Sequence, residues 1–373
     1  MHGKSEQSGN TTAVWDVSVR LFHWALAASV LAAFALGIAA PKRLLDWHLY
    51  AGYSALALVT FRVIWGFSGP TFARFRAFPP SLRAALSHVR GAHPSGYGHN
   101  PLGALMVYAL LGLVAVLALS GLWTLGGVVR QGPLAAFTTY TNGRTAKDIH
   151  EIIAWIIIAM AGLHVGGVIF ESWREKENLA RSMVTGRKRV RNDATPNRAM
   201  RPLAAALSVV VIAAAAAFAF VWASGRPAPF IPSGPVLAEW KTECSACHTA
   251  HHPSLLPAAA WTAVMAGLGD HFGEDASLNA ETTAKIGEWL AANSAEKFDT
   301  RPANSFRQAD AAEPLRITAT ARWKRIHDDI AAETFKQKGI GSAANCGACH
   351  ADAETGLFAP QKIFIPQVPK ENP

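Results

Sequence analysis

The sequence predicts an all-α protein: a membrane bundle of four helices, a fifth membrane helix, and a mostly helical domain outside the bilayer. Three observations carry this prediction. Five stretches are long and apolar enough to cross a membrane, charge is divided unevenly along the chain, and all four cysteines fall in two Cys-x-x-Cys-His sequences. Half of the 373 residues are hydrophobic and 16% are charged, where soluble domains average about 25% charged. That balance excludes a disordered chain and a purely soluble enzyme.

A membrane helix needs roughly 20 apolar residues at about 1.5 Å rise each. Residues 21–40, 103–125, 152–170 and 203–223 contain no charge, and residues 49–68 contain only Arg62. A polar stretch precedes the first span and no small-residue cleavage site follows it, so it reads as an uncleaved signal anchor. The N-tail, the 71–100 loop and the 171–202 segment hold fifteen basic residues, whereas 41–48 and 126–149 hold five. The heavier set belongs in the cytoplasm. Five spans then place the C-terminal domain on the far side, which in a bacterial inner membrane is the periplasm. Residues 1–223 carry a net charge of +12 and residues 224–373 carry −3. The basic residues sit between apolar runs, which is a membrane pattern and not a nucleic-acid one. The segment 187–201 reads as a stop-transfer charge cluster, and 225–235 (GRPAPFIPSGP) as a proline-rich hinge. The expected domains are therefore 1–190, a linker with the fifth span over 191–235, and 236–373.

Histidines in membrane spans are costly and therefore informative. His23 opens the first span on the cytoplasmic side, while His48 and His150 open the second and fourth on the periplasmic side. His164 follows His150 by 14 residues, about 21 Å and nearly four whole turns along a helix. It therefore returns to the depth of His23 and faces the same way as His150. The depths pair His48 with His150 and His23 with His164. Two histidines on facing helices can clamp one haem iron from both sides, which predicts two b-type haems across the bilayer.

The segments VWDVSVRLFHW, WHLYAGYSALALVTFRVIWG, GHNPLGALMVY and IHEIIAWIIIAMAGLHVGGVIFES resemble the bacterial cytochrome b561 and hydrogenase cytochrome b group. The resemblance covers about residues 12–190. It implies a four-helix bundle holding two haems b and exchanging electrons with quinone. Arg62 lies 14 residues after His48, at the expected depth of the inner haem, where a propionate would suit its charge. The alternative is snorkelling to the cytoplasmic surface. His99 either approaches the same haem edge or caps the third span. Glycines 52, 112, 121, 162, 166 and 167 allow close approach of a backbone or a macrocycle.

Outside the membrane, Cys244-Ser-Ala-Cys247-His248 and Cys346-Gly-Ala-Cys349-His350 are c-type haem attachment sequences. The thiols would form thioethers, and His248 and His350 would each become an axial ligand. His251 and His252 follow His248 too closely to reach the far face of its haem. His271 lies 23 residues after His248, and His327 lies 23 residues before His350; both have room to return as distal ligands. Local pairing is preferred, though the sequence leaves the crossed pairing open. Met265, the rival ligand, is better placed as core. Residues 236–367 resemble the bacterial dihaem cytochrome c proteins through CSACHTAHHPSLLPAAAW, MAGLGDHFGEDASL, RITATARWKRIHDDI and NCGACHADAETGLF.

No nucleophile triad or nucleotide fingerprint occurs, so the chemistry belongs to the haems. The expectation is transmembrane electron transfer between the quinone pool and a periplasmic redox protein. One alternative is a superoxide oxidase, with Lys42, Arg43, Arg130, Arg144 and Lys147 as an anion funnel near the outer haem. The other is an electron-relay anchor for a separate periplasmic enzyme.

Overall fold

The computed structural model describes residues 11–39, 44–91, 98–189, 202–308 and 315–366. Lys42, Arg43 and most of the 187–201 segment lie outside the described residues. The chain forms two compact units: Met1–Gly121 with Ala146–Trp222, and Leu122–Thr145 with Ala223–Pro373.

The first unit is helical. Its long helices are α1 (Val17–Ala39) and α2 (Leu45–Ser68), followed by short α3 (Leu82–Val89), then α4 (Pro101–Thr124) and α5 (Tyr140–Glu175). Three of these starts have a side-chain cap. Asp16 Oδ1 accepts from Val19 N at 3.1 Å before α1, Ser81 Oγ from Ala84 N at 3.2 Å at α3, and Asn100 Oδ1 from Gly103 N at 2.6 Å at α4. These side chains satisfy amide donors that a helix start leaves orphaned. Short α6 (Leu179–Thr185) follows, capped by Asn178 and ended by Gly186 at φ 80°.

The strands β1 (Thr11–Ala13) and β2 (Arg187–Arg189) pair antiparallel. Val14 N and Trp15 N also donate to Gly186 O. The start of α1 and the chain beyond α6 therefore meet at one end of this unit, as four antiparallel crossings require. The Lys188 Nζ to Gly98 O bond, at 3.4 Å, brings the approach to α4 to the same end. There α3 is fastened to α5 by buried His88 and Glu171, whose Nε2 and Oε1 lie 2.9 Å apart, and Nη2 of half-buried Arg174 of α5 lies 3.0 Å from Glu171 Oε2.

Among the described residues, four helices are long and apolar enough to cross a membrane: Val17–Ala39, Leu45–Ser68, Pro101–Val129 and Tyr140–Glu175. Their outward side chains include exposed Leu21, Leu31, Trp155, Leu163 and Ile169. Water would penalise so much exposed apolar surface, whereas lipid does not. The core between them is built from Phe22, Ala55, Val59, Leu111, Val114 and Ile157. The fourth span is longer than its apolar window, beginning ten residues before His150, because TNGRTAKD continues the helix beyond the apolar stretch. The helix expected as a fifth span is present as α7 (Pro202–Ser224). Its apolar described part, Val209–Ser224, is shorter than the other four.

The second unit packs short helices around one core. They are α8 (Ala238–Cys244), α9 (Ala258–Ala266), α10 (Ala280–Ala292), α11 (Arg301–Phe306), α12 (Ala321–Ile326) and α13 (Ala332–Phe335). Trp240, Leu255, Leu256, Ile286 and Leu290 are almost wholly buried in that core, and Met265 packs against it. The α4–α5 connection belongs to this unit too. After α4 the chain widens into a π-turn, Leu125–Val129, and reverses at Arg130 with φ 60°. A Cβ on Gly143 would lie 2.5 Å from Gly127 Cα, so these two backbones touch and neither position has room for a side chain. Gly143→Ala should therefore destabilise the protein by about 1–3 kcal/mol through overpacking against backbone, read as a lower thermal midpoint by circular dichroism. An unchanged midpoint would show that this reversal is soft.

Candidate functional site

The structure brings the expected histidines together in four pairs. In the first unit, the His23 and His164 ring centroids are 6.2 Å apart, and those of His48 and His150 are 6.1 Å apart. In the second unit, His248 faces His271 at 6.3 Å and His327 faces His350 at 6.3 Å. A metal–imidazole bond of about 2 Å, with about 1 Å more to the ring centre, puts two trans imidazoles about 6 Å apart, centre to centre. All four pairs have that spacing. Among the described residues no three His, Cys, Asp or Glu side chains converge as a bare metal site would need.

Hydrogen bonds orient several of these rings. His48 Nδ1 donates to Ala33 O at 2.8 Å and His150 Nδ1 to Leu117 O at 2.9 Å. His248 Nδ1 donates to Thr249 O at 2.8 Å and His327 Nδ1 to Trp323 O at 2.9 Å. A carbonyl can only accept, so each bond puts the proton on Nδ1 and leaves Nε2 with its lone pair for a metal. Glycines make room for two of the rings. A Cβ on Gly121 would lie 3.0 Å from His150, and one on Gly37 would lie 3.4 Å from His48. Gly121 was singled out by sequence and Gly37 was not; its signal is the glycine facing His48 across the α1–α2 turn. Glycines 52, 112, 162, 166 and 167 have open space beside them.

Arg62 is 3% exposed, and its Nη1 is buried without a hydrogen-bond partner. It does not snorkel. Its guanidinium lies 4.9 Å from the centre of Phe75 and 5.9 Å from Phe78. His99 joins it against the same wall, 4.4 Å from Phe78 and 4.7 Å from Trp15, with Nδ1 unpartnered. Asn100, not His99, caps α4. Burial, then Arg62, Lys188 and His164, push the His99 pKa down to about 3. A basic cluster thus lies beside the His23–His164 pair.

In the second unit each histidine is presented by a short device. His271 sits in a reversal made by Phe272 at φ 58° and Gly273 at φ 101°, closed by Gly273 N donating to Asp270 Oδ1 at 2.9 Å. His327 caps the end of α12 and stacks on Trp323 at 4.3 Å. The two cysteine motifs are bolted together. Thr249 Oγ1 donates to Asn345 Oδ1 at 2.7 Å and accepts from Gly347 N at 3.0 Å. A cavity of about 550 Å³ lies between them, lined by Cys247, His248, Gly347 and His350 among others. The four cysteines form no disulfide, and burial pushes the Cys244 and Cys346 thiols up to about 11. His251 is a residue that sequence reasoning passed over. Its ring stacks on His248 at 4.7 Å, and its Nδ1 is 3.8 Å from Cys346 Sγ, so it bridges the motifs.

Residues 14–186 match the family model for prokaryotic cytochrome b561, and residues 240–358 match that for dihaem cytochrome c. The chain joins a prokaryotic cytochrome b561 to a dihaem cytochrome c. The b561 part is similar to a probable Ni/Fe-hydrogenase B-type cytochrome subunit of Rhizobium leguminosarum bv. viciae, 22% identical over 221 residues, which cover 50% of this chain and 92% of that protein. The C-terminal part is similar to the diheme cytochrome c of Rhodobacter sphaeroides at 41% identity, covering 35% of this chain and 99% of that one, with a TM-score of 0.29. It is also similar to sb-DHC, a diheme cytochrome type c of Shewanella baltica OS155, at 35% identity, covering 35% and 92%, with a TM-score of 0.28. This b561–dihaem fusion is a membrane haem protein of transmembrane electron transfer.

The cation funnel weighed for superoxide loses a member here. Arg130 is buried and its guanidinium is engaged by protein groups. Lys147 is paired with Glu151.

His252 of the dihaem domain is not part of a pair. It is 5% exposed, and its Nδ1 accepts from Ser254 N at 3.1 Å. Burial pushes its pKa down to about 4, against about 6.5 in an unfolded chain. The unfolded state therefore binds more protons between those values, so stability falls as pH drops from about 6.5 toward 4. His252→Gln, whose amide oxygen can still accept from Ser254, should flatten that slope in denaturant titrations followed at the c-haem Soret band. An unchanged slope would assign the acid sensitivity elsewhere.

Proposed function

We propose that the protein carries electrons between the membrane quinone pool and a periplasmic redox protein, through two b-type and two c-type haems. The observation that carries this reading is the set of four histidine pairs, all spaced at 6.1–6.3 Å, two in each unit. His23 with His164, and His48 with His150, would hold the b haems without covalent bonds. Cys244 and Cys247 would attach one c haem, with His248 and His271 as its axial ligands. Cys346 and Cys349 would attach the other, with His350 and His327. Haem held this way supplies a one-electron carrier at each site, and bis-histidine ligation favours low potentials.

The chain's own residues set the conditions for transfer. The Nδ1 bonds of His48, His150, His248 and His327 keep their tautomers and orient their rings. Arg62 is a buried cation with an unsatisfied donor, which is costly unless an anion meets it. We assign it, with His99 and Lys188 nearby, to the propionates of the inner haem. The π-turn and reversal after α4 lead the chain back into α5 and so to His150.

The topology follows from α7. If it crosses the bilayer as a fifth span, the basic ends of α1, α3 and α6 face the cytoplasm and the acidic dihaem domain faces the periplasm of a bacterial inner membrane. There it would meet a basic or neutral partner, with charge steering the encounter. Quinol oxidation releases two electrons and two protons; the electrons would leave one at a time along the haem sites and the protons would enter solvent. No nucleic-acid partner is expected.

Two outcomes test the reading. Wild-type protein should contain b and c haem at 1:1 by pyridine haemochromogen analysis, and His150→Ala should lose half of the b haem while keeping both c haems. Under anaerobic stopped-flow with a quinol, the b α-band should reduce first and the c band should follow. Retention of full b-haem content in His150→Ala would remove that residue as a ligand. Reduction of b with c left oxidised would overturn the route.

A further inference from the structure

Haem binding does not require the partly buried ion pair that joins three distant segments of the second unit. Arg130 lies in the α4–α5 connection, takes φ 60°, and is 6% exposed. Its Nη1 donates to Thr138 O at 2.7 Å and its Nη2 to Pro229 O at 2.6 Å. The same Nη1 lies 3.8 Å from Asp299 Oδ2. That carboxylate oxygen also accepts from Tyr140 N, the first residue of α5, at 2.8 Å, while Asp299 Oδ1 accepts from Asn304 Nδ2 at 3.0 Å. The Asp299 amide donates to Phe230 O at 2.7 Å. The α4–α5 connection, the proline-rich segment 225–235 and the start of α11 therefore meet around one guanidinium and one carboxylate.

This contact changes the meaning of the proline-rich segment. By composition it is a spacer that would let a domain swing, and relative motion is the default where an interface is small. Here Ala228 is buried and the carbonyls of Pro229 and Phe230 are both bonded. Exposed ion pairs hold little. Here Arg130 is buried and Asp299 partly so, and their charge-assisted bonds to carbonyls and amides are directional; removing Asp299 strands a buried cation.

We propose that Arg130 and Asp299 form a latch that docks the dihaem domain on the α4–α5 connection, so that it accepts electrons as a fixed domain and not as a tethered shuttle. Both are positioning residues. The inference rests on the b-to-c route proposed above.

The test uses the full-length holoprotein in nanodiscs. After quinol addition, the rate of c-haem reduction following b-haem reduction is measured across a glycerol series. A docked acceptor should give a first-order step that ignores viscosity in the wild type. Arg130→Gln and Asp299→Asn should each slow that step at least about tenfold, since misplacement of redox partners is costly, and make it viscosity-dependent. The rate of b-haem reduction and the b-to-c haem ratio should not change. Arg130→Lys, which keeps the charge but loses the fork, should fall between. A wild-type step that slows with viscosity, or variants within about twofold of wild type, would overturn the latch.

A second readout is independent of electron flow: chymotryptic cleavage after Phe230 in the oxidised protein. It should be slow in the wild type and at least about tenfold faster in both variants, because opening of the pinned segment controls access. Equal cleavage in all proteins would also overturn the latch. Faster cleavage in the variants, with no b-to-c transfer in the wild type, would keep the latch and sink the route instead.

Discussion

An imidazole facing another imidazole across about 6 Å is the constraint around which both units are built. Such a gap cannot be filled by either ring alone, and a protein interior does not tolerate empty space between polar groups. Several of these rings are held from behind. Carbonyls of Ala33 and Leu117 fix His48 and His150, and glycines 37 and 121 let the rings sit against neighbouring backbone. The dihaem domain solves the same problem with other parts. A left-handed reversal presents His271, and a helix end stacked on Trp323 presents His327. The spacing is common to both units, while the supports differ because one is built of long helices and the other of turns.

Several polar groups of the b561 unit meet at one end, where they do structural and electrostatic work. His88, Glu171 and Arg174 fasten α3 to α5, and β1 pairs with β2 there. Arg62 and His99 stand apart from these because no ion pair among the described residues engages them and they lie against aromatic rings with a buried nitrogen left unpartnered. A cation paired with a carboxylate, as Arg174 is with Glu171, is explained by the fold. A buried cation without a counter-charge asks for an anion, which is why the Arg62 cluster is assigned to one and the His88 cluster to packing.

The second unit shows how a sequence with a flexible composition can be immobilised. The 225–235 segment lacks helix and strand, but its carbonyls are taken by Arg130 and by the Asp299 amide. The dihaem core around Trp240, Ile286 and Leu290 does not include Arg130, Pro229 or Asp299.

Much of this protein was legible in its sequence, because the governing physics is local or periodic. Apolar runs of bilayer length predict membrane helices, the 14-residue interval between His150 and His164 places them on one face about four turns apart, and the two Cys-x-x-Cys-His sequences mark the dihaem domain. Those patterns also ruled out His252, whose ring is spent on Ser254. Other features depend on contacts between residues far apart in sequence, which no pattern encodes. Which histidine faces which in the dihaem domain, Gly37 behind His48, and His251 between the two motifs all needed the packed chain. Arg130 is the clearest case. In the sequence it is one more loop cation, free to attract an anion. In the tertiary structure Thr138, Pro229 and Asp299, the last two about a hundred residues or more away, surround it, and burial turns a solvated charge into a structural one.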